Sequence, residues 1–426
     1  MKKTYLPAET WDRMQYLFRR YYDGMMHAVF YYDSELDKEV LVKAYTDVIT
    51  RIPVLHSSYE YNPVKPRWRV NEVFSADDFF SFIETDSPEE ETEKFITRRI
   101  NPKSVCQIRI GLIRSAGKDT LCVVQNHMCA DGGDFKVFNA KIAEYYSALL
   151  SGTQDSVVVK NGTRAATQIY DTMPPEKAEK AKALYKNVSN VPSKVRFPFA
   201  RPDNDVCRIL RRRLPAESFA NIRKNGKAMG ATVNDILLAA YILAVYKMTT
   251  PADGVISVPN MIDMRRHIEG GQTAGFTNMT GFMPCSVKVD PKDNLEDVIK
   301  KVQISLEPSK KDEFVGLYGL PLLTLAFKIF PQAIAETAIR IGYQNPLIGM
   351  SNIGLLNQKD YAMGDKLPYY AWYTGAIKYK PYIQLAATTF MGEITFSVAV
   401  RCNEEDCKII DGFYNILFGL LGQLDY

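Results

Sequence analysis

The sequence predicts an α/β protein of two lobes, each made of interspersed strands and helices. Three observations lead there. The chain's 426 residues exceed what one ordinary core encloses. Strand-like runs alternate with runs whose apolar residues recur at helical spacing, in both halves and without a short repeat. From Gly152 to about Asn204 lysines, prolines and small polar residues dominate, as in a connection laid over the surface. The expected division is a first lobe over 1–190 and a second over 191–426.

The elements follow in order. Leu36, Val40, Leu41, Ala44, Tyr45, Val48 and Ile49 fall at helical spacing, with Ser34 as the expected cap. Arg51-Ile52-Pro53 ends that helix, because the residue before a proline is pushed out of the α region. Strands are expected at His56–Tyr61, Gln107–Arg114 and Leu121–Asn126, the last two joined at Ser115-Ala116-Gly117-Lys118-Asp119. Phe135, Val137, Phe138, Ile142, Tyr145 and Leu149 then mark one helix face, running to Ser151-Gly152. A short helical pattern lies near Glu176–Lys186. The second lobe opens with a strand at Cys207–Leu214 and an apolar helix from Val233 to Tyr246, which must be buried on nearly all sides. A strand at Gly254–Pro259 leads into the polar segment Asn260–His267. Residues 314–348 are rich in Leu, Ile, Phe and Ala, as expected of tightly packed helices or the roof of a hydrophobic channel. A late hairpin, Tyr382–Phe390 with Glu393–Val400, precedes a final helix over Ile409–Leu424.

Composition narrows the function classes. With 46% hydrophobic and 24% charged residues the chain matches a soluble globular protein. Its 53 basic and 49 acidic residues leave a net charge of +4, too slight to argue for nucleic acid but compatible with an anionic cosubstrate. Seven scattered cysteines without a CxxC pair suit reduced thiols in a cytoplasmic protein better than a disulfide framework or a zinc site. Met1-Lys2-Lys3 has no apolar run behind it, and Ile236–Val245 is about half of the ~20 residues a membrane span needs. A monomer is the default.

One short stretch carries the chemistry. His127-Met128-Cys129-Ala130-Asp131-Gly132 sits where a strand stops and an amphipathic helix starts. A neutral imidazole held there can take a proton from a hydroxyl or amine as it attacks an activated carbonyl. Asp131 can cap the helix, pair with an arginine, or do both, and Gly132-Gly133 let the backbone turn closely. Blander readings stay open: a lone histidine at a strand end is commonly structural, and Asp131 or Asp134 can be a plain cap. Cys129 as a nucleophile is disfavoured, since two residues from His127 on one segment it would not pair with the ring. A His127/Cys129/Asp131 metal site has no fourth ligand in view.

Asn126-His127-Met128-Cys129-Ala130-Asp131-Gly132 resembles the HHxxxDG signature of the condensation-domain and chloramphenicol-acetyltransferase-like acyltransferases, among them free-standing alcohol acyltransferases. Five more segments resemble that superfamily in the same order: Leu36–Leu55 with Arg51-Ile52-Pro53-Val54-Leu55, Thr232–Ala240, Asp263-Met264-Arg265-Arg266, Asn278-Met279-Thr280-Gly281 and Ser351-Asn352-Ile353-Gly354. The resemblance implies two chloramphenicol-acetyltransferase-like lobes in a V with the active site at their interface. It implies a general base at His127 and a structural acid at Asp131 paired with an arginine, for which Arg265 is the choice. An oxyanion would meet backbone N–H groups near Gly132-Gly133 or the side chains of Asn278, Thr280 or Asn352, with Asn126 and Ser351 also expected near substrate. No bound cofactor or metal is implied; acyl-CoA or an acyl-phosphopantetheine arm is the thioester cosubstrate, and an alcohol or amine the acceptor. Asn126 departs from the first His of the signature, which favours small-molecule O- or N-acyl transfer over peptide-bond synthesis. A carrier protein, if one is used, is expected as a separate chain, since no carrier module precedes Tyr426. The competing class is a binding module that keeps this fold without chemistry.

Overall fold

The computed structural model describes residues 3–185, 195–342 and 345–426. The expected lobe boundary at 190/191 lies outside the described residues. Two large sheets organise the chain. The first has five strands in the order Tyr370–Thr374, Met25–Tyr32, Lys118–Asn126, Ile108–Ser115, Phe80–Glu84. The strand that ends at Asn126 is therefore flanked on both sides by antiparallel partners, Met25 facing Asn126 and Ile108 facing Gln125. It is buried along nearly its whole length, which is why it reads as a continuous apolar run rather than an alternating one.

One face of this sheet is covered by the helices Lys38–Thr50 and Gly132–Ser151, whose Leu41, Tyr45, Phe135 and Ile142 join Phe30, Ile110 and Val123 in one core. The cap of the earlier helix differs from expectation: Asp37, not Ser34, accepts from the N–H groups of Glu39 and Val40 at 3.0 Å. The strand expected over His56–Tyr61 is shorter, Ser57–Glu60, because Pro53–His56 forms a tight 3-10 turn ahead of it.

The second sheet has seven strands, with the run Thr280–Lys288, Val255–Asp263, Ile348–Leu356, Ile383–Phe390, Glu393–Cys402, and Val206–Leu214 pairing onto the last of these. Behind it lies the helix Val233–Thr249, in which every residue from Asp235 to Tyr246 is buried. Its start is fixed by reciprocal bonds: Asp235 N–H donates to Thr232 Oγ1 and Thr232 N–H to Asp235 Oδ2. Helices Leu295–Lys311 and Glu404–Leu421 pack beside it in the same core. The final helix begins five residues before its expected start, because Asn403 and Asp406 form a capping box. Among the described residues no single helix is long and apolar enough to cross a membrane.

The lobes exchange parts. The strand Tyr370–Thr374 comes late in the chain yet forms the edge of the first sheet, where Thr374 pairs with His27. Its other side reaches the second sheet through Tyr373 N–H to Thr388 Oγ1 at 3.2 Å, Ser397 Oγ to Thr374 Oγ1 at 2.9 Å, and Tyr370 with Thr395. Residues 272–279 cross the other way. Gly162 N–H donates to Ala274 O at 2.9 Å, Thr277 Oγ1 to Arg164 O at 2.6 Å, and Thr277 N–H to Asp134 Oδ2 at 2.8 Å. Gly275 is required there: a Cβ on it would lie 2.3 Å from Gly162 O. The helices Leu320–Ile329 and Gln332–Gly342 lie over the mouth of the space between the lobes, and Leu322, Leu323, Ala326, Ala338 and Ile339 line it.

Candidate active site

The backbone turn after the strand is built by Asn126. Its Oδ1 accepts Met128 N–H at 3.0 Å, its Nδ2 donates to Gln107 Oε1 at 2.8 Å, and its carbonyl accepts Cys129 N–H at 3.0 Å. An asparagine side chain closing a turn onto its own backbone two residues on is a local device for redirecting a chain. Asn126 is 1% exposed and is not among the residues lining the central cavity, in contrast to its expected place near substrate. His127 is thereby turned out of the strand, and its own N–H donates to Gly24 O at 2.8 Å on the neighbouring strand's approach.

Asn278, carried in by the crossing segment, holds the ring. Its Nδ2 donates to His127 O at 3.0 Å and to Met128 O at 3.3 Å, which fixes that side of the amide as the NH2 group. Its Oδ1 then faces His127 Nδ1 at 3.2 Å and can only accept, so Nδ1 carries the proton. The lone pair is left on Nε2, which has no partner among the described residues, and the ring lines the cavity. Burial lowers the His127 pKa from 6.5, with Lys378 lowering it further against the pull of Asp131, so the ring is neutral at pH 7. Asn278 was expected as an oxyanion donor. Its amide nitrogen is committed to the backbone carbonyls of His127 and Met128, and its Oδ1 orients the His127 ring.

Asp131 does two things at once. Oδ1 accepts the N–H groups of Gly133 at 3.0 Å and Asp134 at 3.1 Å, capping the helix Gly132–Ser151. Oδ2 accepts Arg265 Nη1 at 2.9 Å and Met279 N–H at 2.5 Å. Arg265 sits in a 3-10 turn directly after the strand Val255–Asp263, and also reaches Asp134 and Asp263, both at 3.1 Å. Burial works against its charge, but Asp131, Asp134 and Asp263 outweigh that and hold its pKa above the ordinary value. The pair thus ties the His127 loop to the second lobe. Burying it without those partners would be costly.

A second buried ion pair, which the sequence reading did not find, supports the same loop from behind. Arg164 donates to both oxygens of Asp12 at 2.8 Å, to Cys129 O at 3.1 Å and to Phe276 O at 2.8 Å. It joins the N-terminal helix Thr10–Phe18, the loop and the crossing segment in one node. Cys129 is buried with its thiol 3.8 Å from Val54 O, away from the imidazole.

The cavity between the lobes measures about 710 Å³, within the range of small-molecule sites. Gly132, Gly133, Asn278, Thr280, Ser351 and Asn352 all border it, as does Asp131. Gly132 N–H has no partner among the described residues; Gly133 N–H is taken by Asp131. Asn352 Oδ1 accepts Gly354 N–H at 3.0 Å at a bulge in its strand. The N-terminal helix supplies Trp11, Met14, Gln15 and Phe18 to the wall. The sequence reading left this helix out, although Trp11, Met14 and Phe18 recur at helical spacing.

With this geometry in place, comparison with known proteins is decisive for the family. Residues 14–323 match the Condensation domain family, and the chain belongs to it. A curated relative, enniatin synthase of Fusarium equiseti, is 26% identical over 197 residues, which cover 44% of this chain and 6% of that much longer protein. The first condensation domain of the calcium-dependent antibiotic synthetase superposes with a TM-score of 0.71 at 15% identity, covering 100% of this chain and 98% of that one. The trichothecene 15-O-acetyltransferase of Fusarium sporotrichioides gives 0.71 at 12% identity, covering 100% and 96%. These likenesses establish the two-lobed fold.

Proposed function

We propose that the protein transfers an acyl group from a thioester to an alcohol or amine, with His127 as the general base. The observation that carries this reading is the unpartnered Nε2 of His127, its tautomer set by Asn278, on the wall of a cavity between the lobes. Nε2 takes the proton from the acceptor as its oxygen or nitrogen attacks the thioester carbonyl. The tetrahedral oxyanion is within the province of a free backbone donor, and Gly132 N–H, at the start of a 20-residue helix, is the candidate. Collapse expels the thiolate, which recovers the proton from the imidazolium. No covalent enzyme intermediate is needed, in keeping with the buried Cys129. The thioester is carried by coenzyme A or by a phosphopantetheine arm on a separate carrier protein.

A panel of acyl-CoA donors crossed with alcohols and amines, read by release of free thiol, tests the reading. Acceptor-dependent thiol release is expected for at least one pair. Tight binding of donors with no turnover across the panel points to a binding module. Family membership with the enniatin synthases keeps a carrier protein as the alternative donor; acylated carrier protein belongs in the same panel.

A further inference from the structure

Among the described residues Lys378 is the charged side chain that lines the cavity without a hydrogen-bonded oxygen. It sits on the two-residue strand Lys378–Tyr379, bridged on one side to Tyr22 and on the other to Val400. Its side chain lines the cavity with Nζ 3.9 Å from the centre of the Tyr22 ring, another wall residue. Among the described residues Nζ has no carboxylate within 4.0 Å and no hydrogen bond to an oxygen, so the Tyr22 ring face is its one close partner. The other charged side chains facing the cavity each have a hydrogen-bonding partner. Asp131 and Asp263 are both bridged to Arg265, and Lys136 donates to Ile353 O at 2.8 Å. The opposite charge that acts on it is Asp23, whose Oδ1 is already held by the N–H groups of Met25 at 3.0 Å and Ile377 at 2.9 Å. Burial pulls the Lys378 ammonium down to about 8, with Asp23 opposing, so leaving it charged in this pocket is already costly.

We propose that Lys378 is a specificity-determining residue that selects a substrate bearing a free carboxylate. A single ammonium on a cavity wall matches one carboxylate in charge; a phosphate dianion would be left undercompensated there. Binding of that carboxylate would restore the ammonium's full charge. The carboxylate can belong to the acyl group or to the acceptor, and the test separates these. The kinetic form of this proposal rests on the acyl-transfer reading; its binding form does not.

The donor arm compares succinyl-CoA with butanoyl-CoA, which differ in a terminal carboxylate in place of a methyl group. The acceptor arm compares lactate with lactamide and alanine with alaninamide. The parent should prefer the carboxylate member in one arm, and Lys378→Met should shrink that ratio of kcat/KM values by about 10- to 100-fold. Lys378→Arg should recover part of it. Circular dichroism and thermal melting confirm that both variants fold. Equal treatment of both members by the parent in both arms overturns the proposal. So does an equal loss on charged and neutral members in Lys378→Met, which marks an oxyanion or structural role. If no pair turns over, the acyl-transfer reading fails separately, and calorimetry with the same pairs decides. A carboxylate preference in binding that Lys378→Met abolishes supports the assignment; equal binding contradicts it.

Discussion

At the scale of single residues the proposed base, His127, and its holder, Asn278, are separable. Because burial keeps His127 below 6.5, kcat/KM should be flat from about pH 7 upward to the next titration and fall only as acid protonates Nε2, below 6.5. An acid limb centred above 7 would contradict the buried, neutral ring. Replacing Asn278 by Asp puts a carboxylate against Nδ1. That favours the imidazolium, raises the folded pKa, and should move the acid limb to higher pH. Asn278→Ala loses the tautomer lock without that shift, lowering kcat while leaving the limb nearer its place. A pH profile identical to the parent's in both variants would remove Asn278 from its positioning role. The sequence showed Asn278 near the site, but not its direction. Which way an amide faces depends on the carbonyls of His127 and Met128, and those are set 150 residues earlier in the chain.

At the scale of elements, the strand and helix flanking His127 were legible because each obeys a local rule. The strand is apolar on both faces and the helix starts at an aspartate followed by two glycines. The crossing segment was not legible: residues 272–279 have no periodicity, and their conformation is fixed by Arg164, Asp134 and Gly162 on the other lobe. The same holds for the strands Thr280–Lys288 and Ile348–Leu356, whose partly exposed residues blur the alternation. The helices Leu320–Ile329 and Gln332–Gly342 were legible as apolar helices, with tight packing and a channel roof both left open, and the strand from Ile348 was merged into them. Gly275→Ala tests the crossing directly. Its Cβ would meet Gly162 O at 2.3 Å, so the segment must move. Overpacking of this kind costs about 1–3 kcal/mol, and thiol release should fall more than stability does, because Asn278 rides on the same segment. Unchanged melting and turnover would show that the segment does not depend on that close approach.

At the scale of the whole molecule, buried polar nodes join the lobes alongside an apolar seam in which Ile209 and Ala399 of the second sheet pack with Val29, Cys122 and Trp372 of the first. Asp131–Arg265 and Asp12–Arg164 both grip the loop after His127, from the second lobe and from the N-terminal helix. Arg164→Met leaves Asp12 buried beside Trp68 Nε1 without its cation. A loss of about 3–5 kcal/mol is expected in denaturant unfolding; a loss under about 0.5 kcal/mol would mean that the pair is not a node. The sequence identified Asp131 and Arg265 through their place in a recognisable order of segments. Arg164 carries no such mark, since its partners lie 152 and 112 residues away along the chain.

The central claim is that the free Nε2 of His127 moves a proton during acyl transfer. The most direct measurement compares thiol release by the parent and by His127→Ala on the best donor–acceptor pair, with both proteins shown by circular dichroism and melting to be folded. Turnover should drop by about 10²- to 10⁴-fold, with donor binding retained. A folded variant that releases thiol as fast as the parent would contradict the account.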